Sequence, residues 1–289
     1  MIPADFDYYR PATLDEAIKM LQNYGPEAKL LAGGHSLLPI LKARLAQPEI
    51  LIDIGRIPDL KGVMQENHSI LIGALTTHDE IASSPVVREQ CPLLAEAAEQ
   101  IGDVQVRNRG TIGGSLSHAD PAADYPAAMI ALDAEIVLTG PEGARSMRAE
   151  NFFEGTYETA LVGNEILTSV LVPIPPAGSG GAYFKVAQGA SGFAVCGVAA
   201  TLTLGSGGEV ASASVGVTGV AALAYRASSV EEAITGKAPT AENIGAAAAH
   251  AADDVQPLED FHASADFRRQ LARVWTGRAL QQAAERAGN

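Results

Sequence analysis

The sequence has few cysteines, a shortage of basic residues and no long apolar run. Cysteine occurs only at Cys91 and Cys196 in 289 residues, and neither has histidines at metal-site spacing. The cysteines therefore cannot build a zinc or iron–sulfur centre, and we predict two inert core thiols. No run reaches the roughly 18 apolar residues of a membrane helix, and no basic and apolar leader opens the chain. We expect a cytoplasmic protein without a membrane span.

Acidic residues outnumber basic ones. Asp and Glu total 34 against 20 for Lys and Arg, which gives a net charge of −14. A surface this negative repels the phosphates of nucleic acids and anionic lipids, so nucleic acid is not an expected partner. A small anionic ligand is compatible with this charge, because backbone N–H groups and single lysines bind phosphate locally.

The length and the 47% of hydrophobic residues predict two folded domains. The Pro- and Gly-rich segment 173–181 is the best linker. We therefore place one domain at 1–176, divided into subdomains near residue 57, and a second at 177–289. In the second, predicted strands at 182–188, 197–204 and 209–218 precede predicted helices at 229–235, 240–252 and 264–287. This order predicts an α+β fold with an antiparallel sheet.

Helix starts in the first domain carry clear signals. Thr13 with Glu16 and Thr77 with Glu80 are capping boxes, which predict helices over 13–24 and from 77. Asp120 before Pro121 has the pattern of an N-cap, which predicts a helix running to about residue 132.

Two Gly-Gly pairs, each flanked by Ser or Thr, are the most distinctive local feature. The first lies in Ala32-Gly33-Gly34-His35-Ser36 and the second in 110–115, Gly-Thr-Ile-Gly-Gly-Ser. Glycine turns of this kind present N–H groups and hydroxyls to an anion, although either pair alone also suits an ordinary connection. Neither pair has the Rossmann or P-loop spacing. Two turns together predict a ligand with two phosphates.

With these turns, the sequence resembles the FAD-binding medium subunit of the molybdenum hydroxylases, the group of carbon monoxide dehydrogenase and xanthine dehydrogenase. The resemblance covers nearly the whole chain. Besides the glycine turns it rests on segments 6–11, 14–17, 119–127, 183–187 and 194–200. Ser115 stands where the family often has Asn, and 190–193 lacks an acidic residue that many members carry.

The resemblance implies a vanillyl-alcohol-oxidase-type FAD domain followed by a smaller α+β domain. It implies that both glycine loops hold the FAD diphosphate through backbone N–H groups, with no catalytic residue or metal ligand in this chain. The implied FAD contacts are Lys29, Leu30, Leu31, Ala32, Gly33, Gly34, His35, Ser36, Thr111, Gly114, Ser115, Asp124, Ile166, Leu167 and Lys185.

Two aspartates and the histidines are the other candidate site residues. Asp120 and Asp124 lie four apart on the predicted helix, where like charges repel. The N-cap role accounts for Asp120, so we predict that a ligand hydrogen bond offsets Asp124. His118, just after the second turn, either lines the site or faces solvent, and a side-chain role for His35 is open. The other histidines share no spacing and are predicted to be surface or satisfied core residues: His68, His78, His250 and His262.

The resemblance implies an electron-transfer subunit that carries FAD in a dimer of heterotrimers. Electrons would arrive from [2Fe-2S] clusters of a small subunit, after substrate oxidation at a molybdenum cofactor in a large subunit, and leave to quinone, oxygen or NAD. Two alternatives are open. A stand-alone flavin oxidase or reductase needs its own acid–base pocket, for which the Ala-, Gly- and Val-rich second domain offers few groups. A scaffold without flavin would not need intact glycine turns.

Overall fold

A computed structural model describes residues 2–253 and 255–288. The strands are β1 (Asp7–Tyr9), β2 (Ala28–Leu31), β3 (Ile50–Asp53), β4 (Val63–Glu66), β5 (Ser69–Gly73), β6 (Glu135–Gly140), β7 (Gly143–Arg148), β8 (Phe153–Gly155), β9 (Glu158–Thr159), β10 (Ile166–Pro173), β11 (Ser179–Ala187), β12 (Ala194–Leu204), β13 (Val210–Thr218) and β14 (Tyr225–Arg226). The helices are α1 (Leu14–Tyr24), α2 (Leu37–Lys42), α3 (His78–Ser83), α4 (Pro85–Gln90), α5 (Pro92–Glu99), α6 (Val104–Arg107), α7 (Ile112–His118), α8 (Asp124–Ala131), α9 (Ser228–Ile234), α10 (Ala241–Ala248) and α11 (Ala265–Ala287).

Three sheets organise the described chain. A parallel sheet of order β1-β3-β2 is followed by an antiparallel sheet of order β4-β5-β10-β6-β7. The last antiparallel sheet has the order β11-β12-β13-β14 and is covered by α9, α10 and α11. Strands β8 and β9 form a small hairpin. The predicted α+β class, with an antiparallel sheet and then helices in the second half, is confirmed.

Both motifs mark real helix starts, although in the described chain only Thr77 and Glu80 form the full capping box, since Glu16 accepts from Ala12 N and not from Thr13 N. The Thr13 side chain accepts a hydrogen bond from Glu16 N at 3.2 Å, and α1 follows. At α3, the Thr77 side chain accepts from Glu80 N, while Glu80 accepts from Thr77 N at 2.7 Å. These bonds satisfy N–H groups that have no partner inside the helix.

The second Gly-Gly pair is part of a helix, so the predicted turn at this point is wrong. Gly113 and Gly114 lie in the first helical turn of α7. Thr111 is the N-cap, and its Oγ1 accepts a hydrogen bond from Gly114 N at 3.2 Å. The N3 position holds glycine where a capping box has Glu or Gln, so the sequence pattern does not mark this helix start.

Asp120 does not begin a helix, which corrects a second expectation. Its Oδ1 accepts a hydrogen bond from Ala122 N at 2.9 Å, closing a local turn, and α8 begins only at Asp124 with Ala123 as its N-cap residue. Asp120 and Asp124 therefore do not share a helix. The predicted like-charge repulsion along one helix face is absent.

Helix α8 connects the middle and last sheets. All eight of its residues are buried, and it packs against β12 and β13. Gly216 permits this contact, because a Cβ there would clash with the Ala127 carbonyl oxygen. This packing fixes Asp124, the first residue of α8, in the interior.

The two cysteines are buried in separate cores, as predicted. Burial raises the pKa of both thiols to about 12, so each is protonated near neutral pH. Within 2–253 and 255–288, none of the helices combines the length and apolarity needed to cross a bilayer.

Candidate functional site

A cavity of about 630 Å³ lies where the parallel sheet, α7, the start of α8 and β10 meet. This volume is in the range of sites for organic ligands. Fourteen of the sixteen predicted site residues line it, and the exceptions are Leu31 and Lys185. The structure therefore brings together residues that are far apart in the chain, including both Gly-Gly pairs and the pair Ile166 and Leu167.

The first glycine turn presents unpaired donors to this cavity. In the described part of the chain, no acceptor is recorded for the backbone N–H groups of Gly33, Gly34, His35 or Ser36. Gly34 has a φ of +79°, which glycine adopts without strain. Consecutive free N–H groups in a bent backbone form an anion-binding concavity.

The second Gly-Gly pair differs, because its N–H groups already have partners. Ile112 N donates to Thr76 O at 3.1 Å, and Gly113 N donates to Ala74 O at 2.9 Å. Gly114 N is bonded to Thr111 Oγ1. Apart from Thr111 N, the free backbone N–H groups of the two described loops therefore lie in the first loop, and their role in holding one ligand stays a prediction.

Packing explains which glycines must be glycine. A Cβ on Gly33 would clash with the Arg109 carbonyl oxygen, and one on Gly113 would lie 2.5 Å from Ala74 Cβ. These two glycines allow backbone segments to approach each other. Gly114 is exposed, and a Cβ there would meet only Thr111 Oγ1 at 2.8 Å and Ala32 Cβ at 3.9 Å. The space in front of Gly114 belongs to the cavity.

Several polar side chains complete the wall near the glycines. Among the described residues, no hydrogen bond is recorded for the hydroxyls of Ser36, Ser115 or Ser117, all of which line the cavity. Lys29 also lines it, is exposed, and has no ion pair within the described chain. Together they add neutral donors and one cation to the N–H groups of the first turn.

Asp124 belongs to a buried ion pair. Lys185 Nζ lies 2.9 Å from the Asp124 carboxylate, and the Tyr183 hydroxyl donates to Asp124 Oδ1 at 2.6 Å. Burial raises the pKa of Asp124, and the Lys185 ammonium and the Tyr183 hydroxyl oppose that rise. The protein itself thus offsets the Asp124 charge. Lys185 lies behind Asp124, with a second bond to Gln100 O at 2.8 Å.

A second polar cluster borders the cavity at His118. Its ring lies 5.0 Å from that of Tyr157, whose hydroxyl donates to Asp120 Oδ2 at 3.3 Å. Burial lowers the pKa of His118 and raises that of Tyr157. Tyr157 also has a φ of +61°, unusual for a residue with a side chain. His118 therefore lines the cavity, while Tyr157 carries no local sequence signal.

His78 lines the cavity, although no sequence pattern predicted a site role for it. It is 4% exposed, and its Nδ1 lies 3.3 Å from the hydroxyl of Tyr125, a contact that agrees with a satisfied core histidine. It also lines the cavity beside Gly110. Because Tyr125 is 47 residues away, no local pattern links the two.

The other end of the cavity is apolar. Ile166, Leu167 and Leu161 line it, and Phe193 approaches it from the segment before β12. Gly192 has a φ of +74° and packs against Gly102, which positions this segment. One cavity thus joins donors suited to a diphosphate with an apolar wall suited to a flat ring. These residues fit FAD.

The described residues contain no cluster of three or more His, Cys, Asp or Glu side chains placed to hold a metal ion.

Comparison with protein families gives two adjoining matches. Residues 4–175 match the family described as the FAD binding domain in molybdopterin dehydrogenase. Residues 181–283 match the CO dehydrogenase flavoprotein C-terminal domain. The first match contains the cavity residues up to Leu167, and the second contains Phe193.

Individual relatives match over nearly their full length. The chain is 44% identical to the carbon monoxide dehydrogenase medium chain of Hydrogenophaga pseudoflava, over 98% of each chain. It is 36% identical to the glyceraldehyde dehydrogenase medium chain of Sulfolobus acidocaldarius, over 98% of this chain and 100% of the relative. A solved structure of Hydrogenophaga pseudoflava carbon monoxide dehydrogenase, lacking the Mo-pyranopterin moiety of its cofactor, superposes with a TM-score of 0.96 at 46% identity, covering 99% of both chains.

Proposed function

Because this chain belongs to the family of FAD-binding subunits of the molybdopterin dehydrogenases, which are oxidoreductases, we propose that it is the electron-exit subunit of such an enzyme. In this role it accepts electrons from [2Fe-2S] clusters of one partner chain and passes them to an external acceptor. The substrate is oxidised on another partner chain that carries a molybdenum cofactor. The sequence-based domain limits of 1–176 and 177–289 stay part of this proposal.

One observation carries the assignment of the FAD site. The first glycine turn has four backbone N–H groups without an acceptor in the described chain, and they open on the same cavity as the apolar pair Ile166 and Leu167. A dinucleotide with a charged centre and a flat ring needs both environments in one cavity. On this basis we propose FAD contacts for the fourteen predicted residues that line the cavity, while Leu31 and Lys185 stay predictions from the family resemblance.

The residues divide into distinct roles. The N–H groups of Gly33 to Ser36, with the Ser36 and Ser115 hydroxyls and Lys29, hold the diphosphate. Gly114 leaves room for it at the start of α7. The apolar side chains around Ile166 exclude water from the ring, and Asp124, held by Lys185, presents a carboxylate oxygen to a ligand N–H or hydroxyl. Bound FAD supplies the conversion between one-electron and two-electron transfer.

We further propose that the chain works in a dimer of heterotrimers in the cytoplasm. Apolar side chains exposed on the last domain support partner contacts. Phe261 is 93% exposed and Phe267 52% exposed, and Val274 follows on the same helix, α11. Aromatic side chains such as these two are enriched at protein interfaces.

A stand-alone flavin oxidase or reductase is the second candidate. One observation favours it: His118, Tyr157 and Asp120 bring titratable groups to the cavity wall, where such an enzyme would need acid–base chemistry. The relatives named carbon monoxide dehydrogenase and glyceraldehyde dehydrogenase differ in substrate, so the family alone does not choose a substrate for this chain.

Native purification of the chain from its own source tests the proposal. We expect about one FAD per chain by acid extraction, together with a large molybdenum-containing chain and a small iron–sulfur chain. FAD with direct substrate turnover and no partner chains would favour the stand-alone enzyme. Absence of flavin from the native assembly would contradict the FAD site itself.

A further inference from the structure

His78 has one ring nitrogen in the protein interior and the other toward the cavity. Nδ1 lies 3.3 Å from the Tyr125 hydroxyl, which is fully buried. Nε2 has no hydrogen-bond partner among the described residues. It is still accessible, unlike Arg268 Nε and Thr276 Oγ1, the two described side-chain atoms that are fully buried without a partner. Since His78 lines the cavity, Nε2 is the ring atom that a ligand can reach.

The contact with Tyr125 determines where the imidazole proton lies. Burial raises the pKa of the Tyr125 phenol well above its usual range, so its hydroxyl keeps its proton. This buried hydroxyl has no other partner in the described chain, and its hydrogen is satisfied only if it donates to His78 Nδ1. Nδ1 must then be the unprotonated nitrogen, and Nε2 carries the hydrogen.

The Nε2–H group lies where the two glycine segments meet. A Cβ on Gly110 would be 2.5 Å from His78 Nε2, and a Cβ on Gly33 would be 3.0 Å from Gly110 Cα. The His78 backbone N–H also donates to Gly110 O at 3.0 Å, which fixes α3 against this segment. The ring donor is therefore next to the turn with free N–H groups.

We propose that His78 is a cofactor-binding residue whose Nε2–H donates to the anionic diphosphate of FAD, with Tyr125 as a positioning residue that fixes the tautomer. The inference rests on the proposed function, because it needs FAD in this cavity. A neutral imidazole suits the role, because it adds a directed donor without the cost of burying a charge. A hydrogen bond to a charged acceptor contributes more than one between neutral groups.

Two substitutions at His78 separate the ring nitrogens. His78→Asn keeps an amide near the Nδ1 position, facing Tyr125, and removes the donor at Nε2. His78→Gln places an amide N–H near the Nε2 position and gives up the Tyr125 contact. We expect His78→Asn to weaken binding of FAD and of ADP, which contains the diphosphate, roughly tenfold, while His78→Gln weakens both less than threefold. Affinities are measured by titration of the full chain in the assembly in which it is isolated.

Nitrogen-15 NMR of histidine-labelled protein provides a readout independent of affinity. We expect the shifts of His78 to show Nε2 protonated, and addition of ADP to move the Nε2 resonance more than Nδ1. In Tyr125→Phe the two tautomers mix, and ADP affinity falls less than in His78→Asn. A protonated Nδ1 in the wild-type chain, or equal losses in His78→Asn and His78→Gln, would overturn the inference. Failure of the wild-type chain to bind either FAD or ADP would instead overturn the proposed function, and with it the role of His78.

Discussion

The two Gly-Gly pairs look alike in sequence and differ in what their backbone groups do. Around Gly33 and Gly34 the N–H groups have no acceptor in the described chain and open on the cavity. Around Gly113 and Gly114 they bond to Thr76, Ala74 and Thr111 and hold α7 in place. A Gly-Gly pair with a flanking hydroxyl residue therefore leaves its backbone donors free in one place and uses them for packing in the other.

The difference follows from where each pair lies relative to a helix. The first pair precedes α2 by several residues, and Gly34 reverses the chain with a positive φ. The second pair is inside α7, whose N-terminal N–H groups are satisfied by the N-cap and by the segment before α3. On this side Gly114 is exposed, and Gly113, Ser115 and Ser117 also line the cavity. Changes on the first side should therefore reduce ligand affinity, and changes on the second side should reduce stability.

Lys185→Met should give the largest effect, through the buried ion pair with Asp124 at the start of α8. The substitution leaves the Asp124 carboxylate buried without its cation, and loss of one partner of a buried pair costs about 3–5 kcal/mol. Urea denaturation of the full chain measures the free energy of unfolding. Lys29→Met is the matched control, because Lys29 is exposed at the cavity without an ion pair in the described chain, so only FAD affinity should fall. Equal stability losses in both variants would contradict the comparison.

Gly114→Val should weaken FAD binding at least about 100-fold, or roughly 2.7 kcal/mol. The valine side chain would enter the open space in front of Gly114, which we assign to the diphosphate. Contact with Thr111 Oγ1 at 2.8 Å disturbs the N-cap and should cost about 1 kcal/mol of stability. Gly245→Val in α10, where a Cβ meets nothing within 4 Å, is the control. Full FAD content in a folded Gly114→Val chain would contradict the assignment of Gly113 and Gly114 to the FAD site.

Sequence patterns predicted the fold where local rules decide it. Thr13 and Thr77 begin helices as expected, and three of the four strands of the last sheet lie within a few residues of their predicted positions. The start of α7 was missed because glycine at N3 gives no capping signal. The start of α8 was misplaced because Asp120 bonds to the next turn of chain instead of capping a helix. Asn and Asp have both options, and the sequence does not choose between them.

The candidate site was predictable in part. Contacts between residues that are far apart in the sequence could not be predicted. The glycine segments and Ile166 carry motif information, and the structure places them on one cavity. The Lys185 contact with Asp124 spans 61 residues, and the His78 contact with Tyr125 spans 47. Neither follows from spacing. Which N–H groups remain free also depends on tertiary packing, since Ala74 and Thr76 satisfy those of α7.

Hydrogen exchange can test the comparison without mutation. The amides of Gly34 and Ser36 should exchange quickly in the ligand-free chain and become protected on FAD binding by about 30-fold, because only then do they gain acceptors. The amides of Ile112 and Gly113 are bonded already and should change less than about threefold. Exchange measured by NMR or mass spectrometry, with and without FAD, gives both values. Similar protection of both segments would show that the two pairs bind the ligand alike.

The smallest expected effect is a pH dependence at His78, beside the boundary between the two glycine segments. Burial lowers the pKa of His78 to about 4 from its usual 6.5. The unfolded chain therefore takes up a proton as the pH falls through 6.5, while the folded chain does not until near 4. Stability from this group is complete above pH 6.5 and is lost as the pH falls toward 4, by roughly 2 kcal/mol between pH 7 and pH 5.

Urea denaturation at pH 7 and pH 5 of the wild-type chain and of His78→Gln isolates this contribution, since every carboxylate is common to both. We expect the wild-type chain to lose roughly 2 kcal/mol more than the variant between these pH values. His250→Gln, at an exposed histidine paired with Asp253, should keep the wild-type pH dependence. If His78→Gln retains the full pH dependence, then burial does not lower the pKa of His78 in the folded chain.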